Sequence, residues 1–316
     1  MKGIALLFFS TLLTCLVSCH SKSEGQKKIL DTPSSGETTI GADGSLNSII
    51  SEELKTFHLS YPEAKIHIIY EPEQDIVSRL LENKIPLAII PRQLSADEKN
   101  YFDQQQIPVQ QIKMATDALA FIINRENPDS NLTFEQVTGI LNGKITRWSE
   151  INASSPADSI ILVFDNRRSS TIRYLQNEIL KGAPMSSHAF AADSESMVKN
   201  YVEQNPKAIG VLDVSRISDV GETEVQSFLE SIRVVSVSHR DSINNPIFYK
   251  PSRYNMLYGK YPFLREVYLV LREGHIGLGT GFANYVMNER GQLIIHHFGL
   301  VAAKQPVRVI ELRNEF

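Results

Sequence analysis

The chain has 316 residues, 42% apolar and 22% charged, with a formal net charge of −4. That suits a soluble globular protein larger than one ordinary core, so two lobes are expected. The acidic balance and the lack of a lysine- or arginine-rich stripe exclude a nucleic-acid footprint.

The chain opens MKGIALLFFSTLLTCLVSC, with Lys2 ahead of an apolar run over residues 4–17. The run is too short to span a bilayer and reads as a secretory signal peptide over residues 1–18. Its end, Leu16-Val17-Ser18-Cys19, resembles the bacterial lipobox, a signal in which the cysteine is lipidated and becomes the mature N-terminus. Cys15 would be removed with the leader. The mature chain then holds no second cysteine, which excludes cysteine catalysis and thiolate metal sites. Residues 19–37 are polar and rich in Ser, Gly and Lys, as in a flexible tether. A lipid anchor at Cys19 makes the membrane a partner and places the folded part periplasm-facing or at the cell surface.

After the tether, TTIGADGSLNSIISEELKTF predicts a strand end, a Gly-rich turn and a helix with Ile49, Ile50, Leu54 and Phe57 on its apolar face. KIHIIYEP predicts a strand, QDIVSRLLENK a short helix, and PLAIIPR a strand stopped by Pro91 and Arg92. This alternation is that of a parallel sheet with helices on its faces. DALAFIIN is a buried-type strand. Thr133 and Gln136 then have the spacing of a capping box, and Asn142-Gly143 ends that helix. Further strands are expected in SIILVFDN, AIGVLDVS and RVVSVSH, with a helix over 194–204. From Ser242 the chain is rich in aromatics and turns. GFANYVMNERGQLIIHHFGL predicts one long helical stretch and PVRVIEL a final strand.

The eight histidines show no zinc spacing, and neither a G-x-S-x-G elbow nor a P-loop occurs. No catalytic residue, metal or cofactor is expected, and the chain reads as a non-enzyme. What stands out is ILVFDNRRSSTIRYLQNEIL, a strand, a polar loop and a helix start. Helix N-termini carry unpaired N–H groups and partial positive charge, and added hydroxyls and arginines make an anion site. The plainer alternative is a helix capped by Ser169 or Ser170 with solvated arginines. Three loops that follow strands, residues 41–46, 91–92 and 167–171, could converge on a small anion at the carboxyl ends of a parallel sheet.

In order along the chain, GADGSL, PLAIIPRQLS, TDALAFIINRENP with LTFEQVTGILNGKITRWSEI, RRSSTIRYL, KAIGVLDVS and NERGQLIIHHFGLVA resemble the blocks of one family. That family is the periplasmic phosphate-binding protein of phosphate ABC transporters, in lipoprotein form. The resemblance implies an α/β, two-lobe type II periplasmic-binding-protein fold, each lobe a mixed, mostly parallel sheet flanked by helices. Lobe one would be 38–115 plus 245–316, and lobe two 116–244. It implies a monomer that closes on phosphate or a similar oxyanion by hinge motion and delivers it to ABC permease subunits. The alternative keeps the fold for a non-transport lipoprotein (sensor, scaffold or adhesion partner) with another ligand.

Ser45 and Leu46 fall at the family's first ligand loop, Arg92 at the second, and Ser169, Ser170 and Thr171 at the third. Arg167 is the arginine that could serve that third loop. There the family's glycine is Ser170, and its arginine six residues before the threonine is Asp165. Where a Gly/Ser-rich loop is expected, the chain reads EPEQD, residues 71–75.

Overall fold

The computed structural model describes residues 31–155, 159–218, 230–241 and 245–304. The leader, Cys19, the tether to residue 30 and the expected last strand at 306–312 lie outside them. The described residues belong to one compact unit that begins at Asp31.

Alternating hydrophobicity becomes β1 (Gly36–Asp43), α1 (Asn47–Ser60), β2 (Ala64–Glu71), α2 (Glu73–Leu81) and β3 (Leu87–Ile90). β1 lies between β2 and β3 and is parallel to both. A Cβ on Gly41 would lie 2.7 Å from Ile85 Cδ1 and 3.0 Å from Ile76 Cδ1, so this glycine lets α2 seat closely on β1. Residues 31–37, read from composition as tether, contain the first turn and the start of β1. The Asp31 carboxylate accepts a hydrogen bond from Leu278 N.

The next strand, β4 (Gln110–Asn124), has 15 residues and starts well before the predicted DALAFIIN. It is shared by two sets of partners. Residues 110–118 pair antiparallel with β12 (Leu264–Leu271), and residues 119–123 pair antiparallel with β8 (Ala208–Asp213). β8 continues in parallel to β6 (Ile161–Phe164), and β6 to β7 (Ala189–Ala191). The ten-stranded sheet is therefore parallel at both ends and antiparallel in its middle.

β12 lies in the stretch read as aromatics and turns. Its last five residues, VYLVL, are buried on both faces, as a central strand requires. The predicted RVVSVSH strand divides: β9 (Ile232–Val234) stays on β4, while β10 (Ser236–Ser238) pairs with β5 (Asn131–Leu132) and β11 (Phe248–Tyr249). The long helical stretch also divides, into two helices at Leu278–Val286 and Glu289–His297. Gln292 Nε2 donates to Val286 O across this corner, and a Cβ on Gly291 would lie 2.5 Å from the same oxygen, so only glycine fits.

The predicted capping box is made in full. Thr133 Oγ1 accepts from Gln136 N, and Thr133 N donates to Gln136 Oε1 at the start of α4 (Phe134–Leu141). Trp148 is fully buried and its indole donates to Lys207 O at 3.0 Å, so its polar edge is satisfied.

Candidate functional site

Strand register builds the centre of the site. On β12, Arg265 stands directly opposite Asp117 of β4. On the other side of β4, Asp213 of β8 stands opposite Leu119, two residues on and so on the same face as Asp117. The Arg265 guanidinium thus lies between two carboxylates, at 2.7 Å from Asp117 Oδ2 and 2.5 Å from Asp213 Oδ1. All three side chains are buried. Burial opposes the charge on Arg265, but Asp213, Asp117 and Asp43 outweigh it and hold its pKa above the usual arginine range.

Two strand-to-helix loops reach this guanidinium. Ser45 lies in the 3-10 turn Gly44–Leu46 that runs into α1, and its hydroxyl accepts from Arg265 Nη2 at 3.3 Å. Ser170 opens α5 (Ser170–Tyr174), and its hydroxyl accepts from Arg265 Nη1 at 3.3 Å. Ser170 Oγ also donates to Asp43 Oδ1 at 2.9 Å, and the same oxygen accepts from Ser45 N. The hydroxyls of the first and third predicted loops, Ser45 and Ser170, therefore meet at one buried cation.

Acids crowd the same place. Asp43, Asp117, Asp165, Asp213 and Glu195 gather with Arg265 and Arg216, five carboxylates to two guanidiniums. Burial pushes the Asp213 carboxyl well up, against the pull of Arg265. It also raises Asp165, against hydrogen bonds from Asn166 N and Ser169, and Glu195, against Arg216. Asp117 Oδ1, Asp165 Oδ1 and Asp213 Oδ2 are buried without a hydrogen-bond partner in the protein. Burial favours the protonated form of Asp165, Asp213 and Glu195, and a protonated carboxyl donates to an anion rather than repelling it.

The remaining predicted residues divide. Thr171 is buried beside Ser170. Ser169 caps α5, its hydroxyl accepting from Ile172 N. The Leu46 side chain is buried in the apolar core. Arg92 pairs with Glu98 at 2.7 Å and with Glu73, and the Glu73 carboxylate also receives Arg173 Nε at 3.0 Å. Arg167 is exposed and lines a hollow of about 350 Å³ with Ile172, Met185, Ser186 and Phe190, apart from the Arg265 cluster.

The EPEQD acids are matched one by one. Glu71 binds Arg79 through two hydrogen bonds, of 2.6 and 2.7 Å. Glu73 is shared by Arg92 and Arg173, and Asp75 holds Arg168 Nη2 at 2.5 and 2.6 Å. The α2 end of the sheet is thus clasped to the α5 loop by ion pairs. Glu73 is 1% exposed, so Arg173→Ala should cost roughly 1.5–3 kcal/mol in denaturant unfolding. Arg168 and Asp75 are solvated, and Arg168→Ala should cost under about 1 kcal/mol.

Sequence reasoning missed Arg265, Asp117 and Asp213. They lie 52 to 148 residues apart, and only the sheet register joins them. The available signal was LREVYLVL itself, an arginine at the mouth of an apolar run.

A family model described as a PBP superfamily domain matches residues 30–290. The chain belongs to the PBP superfamily. Within it, the chain is similar to the phosphate-binding protein PstS of Bacillus subtilis, 21% identical over 293 residues, covering 91% of this chain and 89% of the relative. The phosphate-binding protein PstS of Borreliella burgdorferi is also 21% identical, over 314 residues, covering 96% and 100%. Among solved structures, a putative phosphate ABC transporter substrate-binding protein from Clostridium perfringens, with bound phosphate, aligns with a TM-score of 0.70 at 23% identity, covering 85% of this chain and all of that one. An ABC-type phosphate transport receptor from Vibrio cholerae gives 0.65 at 20% identity, covering 84% and 100%. The PBP superfamily fold is of type II, as the resemblance implied, and the names of these relatives describe binding rather than catalysis.

Proposed function

We propose that the protein is a lipid-anchored solute-binding protein that captures phosphate or a similar oxyanion between two lobes and delivers it to an ABC permease. One observation carries this reading: Ser45 and Ser170, from two strand-to-helix loops, converge on the buried Arg265. Hydroxyls, helix-start N–H groups and one guanidinium are the donors a desolvated oxyanion needs. The phosphate-binding names of the relatives support the ligand class. The lobes would be 38–115 with 245–316, and 116–244. The strand pairing supports a first crossing near residue 118, where β4 changes partners, and a second near Pro262 and Phe263, which runs beside it through Leu119 N to Phe263 O, so the second boundary would lie beyond residue 245. The starts of α1 and α5 already touch through Ser170 Oγ and Asp43 Oδ1, so hinge motion about these two crossings would part them to admit the anion and close them over it. Lipidation at Cys19 would keep the protein by its permease, facing the periplasm or the cell surface.

The carboxylates shape the binding step. Asp165, Asp213 and Glu195 have raised pKa values, so each can take up or keep a proton as the anion enters. Phosphate affinity should therefore rise as pH falls, by up to about tenfold per pH unit for each linked proton. Calorimetric titration of the chain from residue 20 with phosphate tests this. Micromolar or tighter binding is expected, weakened roughly tenfold or more by Ser45→Ala and unchanged by Arg167→Ala. No heat with phosphate or sulfate at any pH contradicts it.

One observation favours a second reading. The guanidinium occupies the point between Ser45 and Ser170 and is already neutralised by Asp117 and Asp213. A site closed on its own cation suits a non-transport lipoprotein with another ligand. The same titration separates the two readings.

A further inference from the structure

The stretch 245–264 reverses the charge of the chain around it. It holds Lys250, Arg253 and Lys260 and no Asp or Glu, in a protein with 36 acidic residues and a net charge of −4. Its helix α8 (Arg253–Leu257) buries Met256 and leaves the rest of its apolar side chains outside. Tyr254, Leu257 and Tyr258 recur at helical spacing, yet they are 60%, 48% and 62% exposed, and Ile247 nearby is 58% exposed. Lys260 Nζ lies over the Tyr254 ring at 4.8 Å, and within 6 Å of the Tyr249 and Tyr258 ring centres. Beside these side chains is a hollow of about 600 Å³ lined by Arg233, Lys250 and Arg253 with Ser130, Ser236 and Ser252. No carboxylate lines it among the described residues.

We propose that this face is a docking surface for an anionic phospholipid bilayer, with Tyr254, Leu257, Tyr258 and Ile247 entering the interface and the basic hollow receiving phosphodiester headgroups. Charge complementarity selects this occupant. Each cation near an anionic leaflet favours binding, and tyrosines settle at the headgroup level, with the ring in the apolar boundary and the hydroxyl in water. Protein–protein interfaces are instead depleted in lysine. The proposal rests on the lipid-anchored reading for its geometry. A tether from Cys19 to Asp31 spans at most ~40 Å, and a folded unit of this size has a radius of gyration of about 19 Å. Such a tether brings the protein to the membrane without choosing which face meets it. The basic tyrosine face makes that choice, and so sets how the cleft is presented.

The test uses the chain from residue 20, which carries no lipid, so it is independent of both anchoring and phosphate binding. It is mixed with vesicles of phosphatidylcholine alone or with about one-third phosphatidylglycerol, and the bound fraction is read by flotation. Binding is expected on the anionic vesicles only and is lost in high salt. Lys250→Glu with Lys260→Glu should weaken it by at least about thirtyfold, and Tyr254→Ser with Leu257→Ser and Tyr258→Ser should also release the protein. These side chains are on the surface, so circular dichroism should be unchanged in both variants. Equal binding to neutral and anionic vesicles, no binding to either, or binding that survives the double charge reversal overturns the proposal. Binding only to vesicles that contain a membrane-protein partner also overturns it, and makes the face a protein contact.

Discussion

Replacing Arg265 by leucine should cost about 3–5 kcal/mol of stability and abolish oxyanion binding. The guanidinium is fully buried between Asp117 and Asp213, and removing one member of a buried ion pair leaves charge without compensation. The two hydroxyls that mark the ligand site, on Ser45 and Ser170, lose their common donor in the same step. The loss has a pH signature. Asp213 already has a raised pKa, and without the arginine nothing opposes the desolvation that raises it. A carboxyl whose folded pKa exceeds its unfolded value binds more protons when folded, so its contribution to stability falls as pH rises. The variant should therefore be less damaged at pH 5 than at pH 8, as read by urea unfolding. Adding Asp117→Asn and Asp213→Asn should restore much of the stability but none of the binding. Equal stability of Arg265→Leu and the unaltered protein would remove Arg265 from the centre of the fold.

Glu53→Met should do the opposite and raise stability by roughly 2–4 kcal/mol at pH 8. Glu53 lies on the inner face of α1 with Ile49, Ile50 and Phe57, and it is fully buried. Neither carboxyl oxygen has a hydrogen-bond partner, and burial pushes its pKa up to about 9. Between the ordinary value of 4.5 and about 9, the folded protein holds a proton that the unfolded chain releases. Stability is therefore drained steadily as pH rises through that window, by up to about 6 kcal/mol in all. Methionine has nearly the same length and no charge, so it keeps the packing and removes the penalty. Calorimetric melting should show a gain of several degrees at pH 8 that shrinks towards pH 5. A variant less stable than the unaltered protein at both values would show that Glu53 has a polar role.

The fold was legible wherever one segment carried its own signal. β1 to β3 follow from alternation and helical spacing, and the Thr133–Gln136 cap follows from two residues three apart. β12 was not legible, because the tyrosines, prolines and glycine before it read as turns and its eight residues suited a buried helix as well as a strand. The site shows the same divide. Ser45 and Ser170 sit on local strand–loop–helix signatures. Arg265 acquires its role only from the register that sets it against Asp117 and beside Asp213. EPEQD stands where the resemblance places a Gly/Ser-rich loop, and the stretch itself holds no partner for its three acids. Its partners Arg79, Arg92, Arg168 and Arg173 are up to 100 residues away, and only folding brings them to it.

The central claim is that an oxyanion enters between Ser45 and Ser170 at Arg265. Arsenate has the shape and charge of phosphate and scatters anomalously at the arsenic edge. Crystals of the chain from residue 20 grown with arsenate should give one strong anomalous peak within hydrogen-bond reach of both hydroxyls, with the Ser170–Asp43 contact opened. A peak confined to the basic hollow of Arg233, Lys250 and Arg253, or no peak with the guanidinium still bridging Ser45 and Ser170, would contradict it.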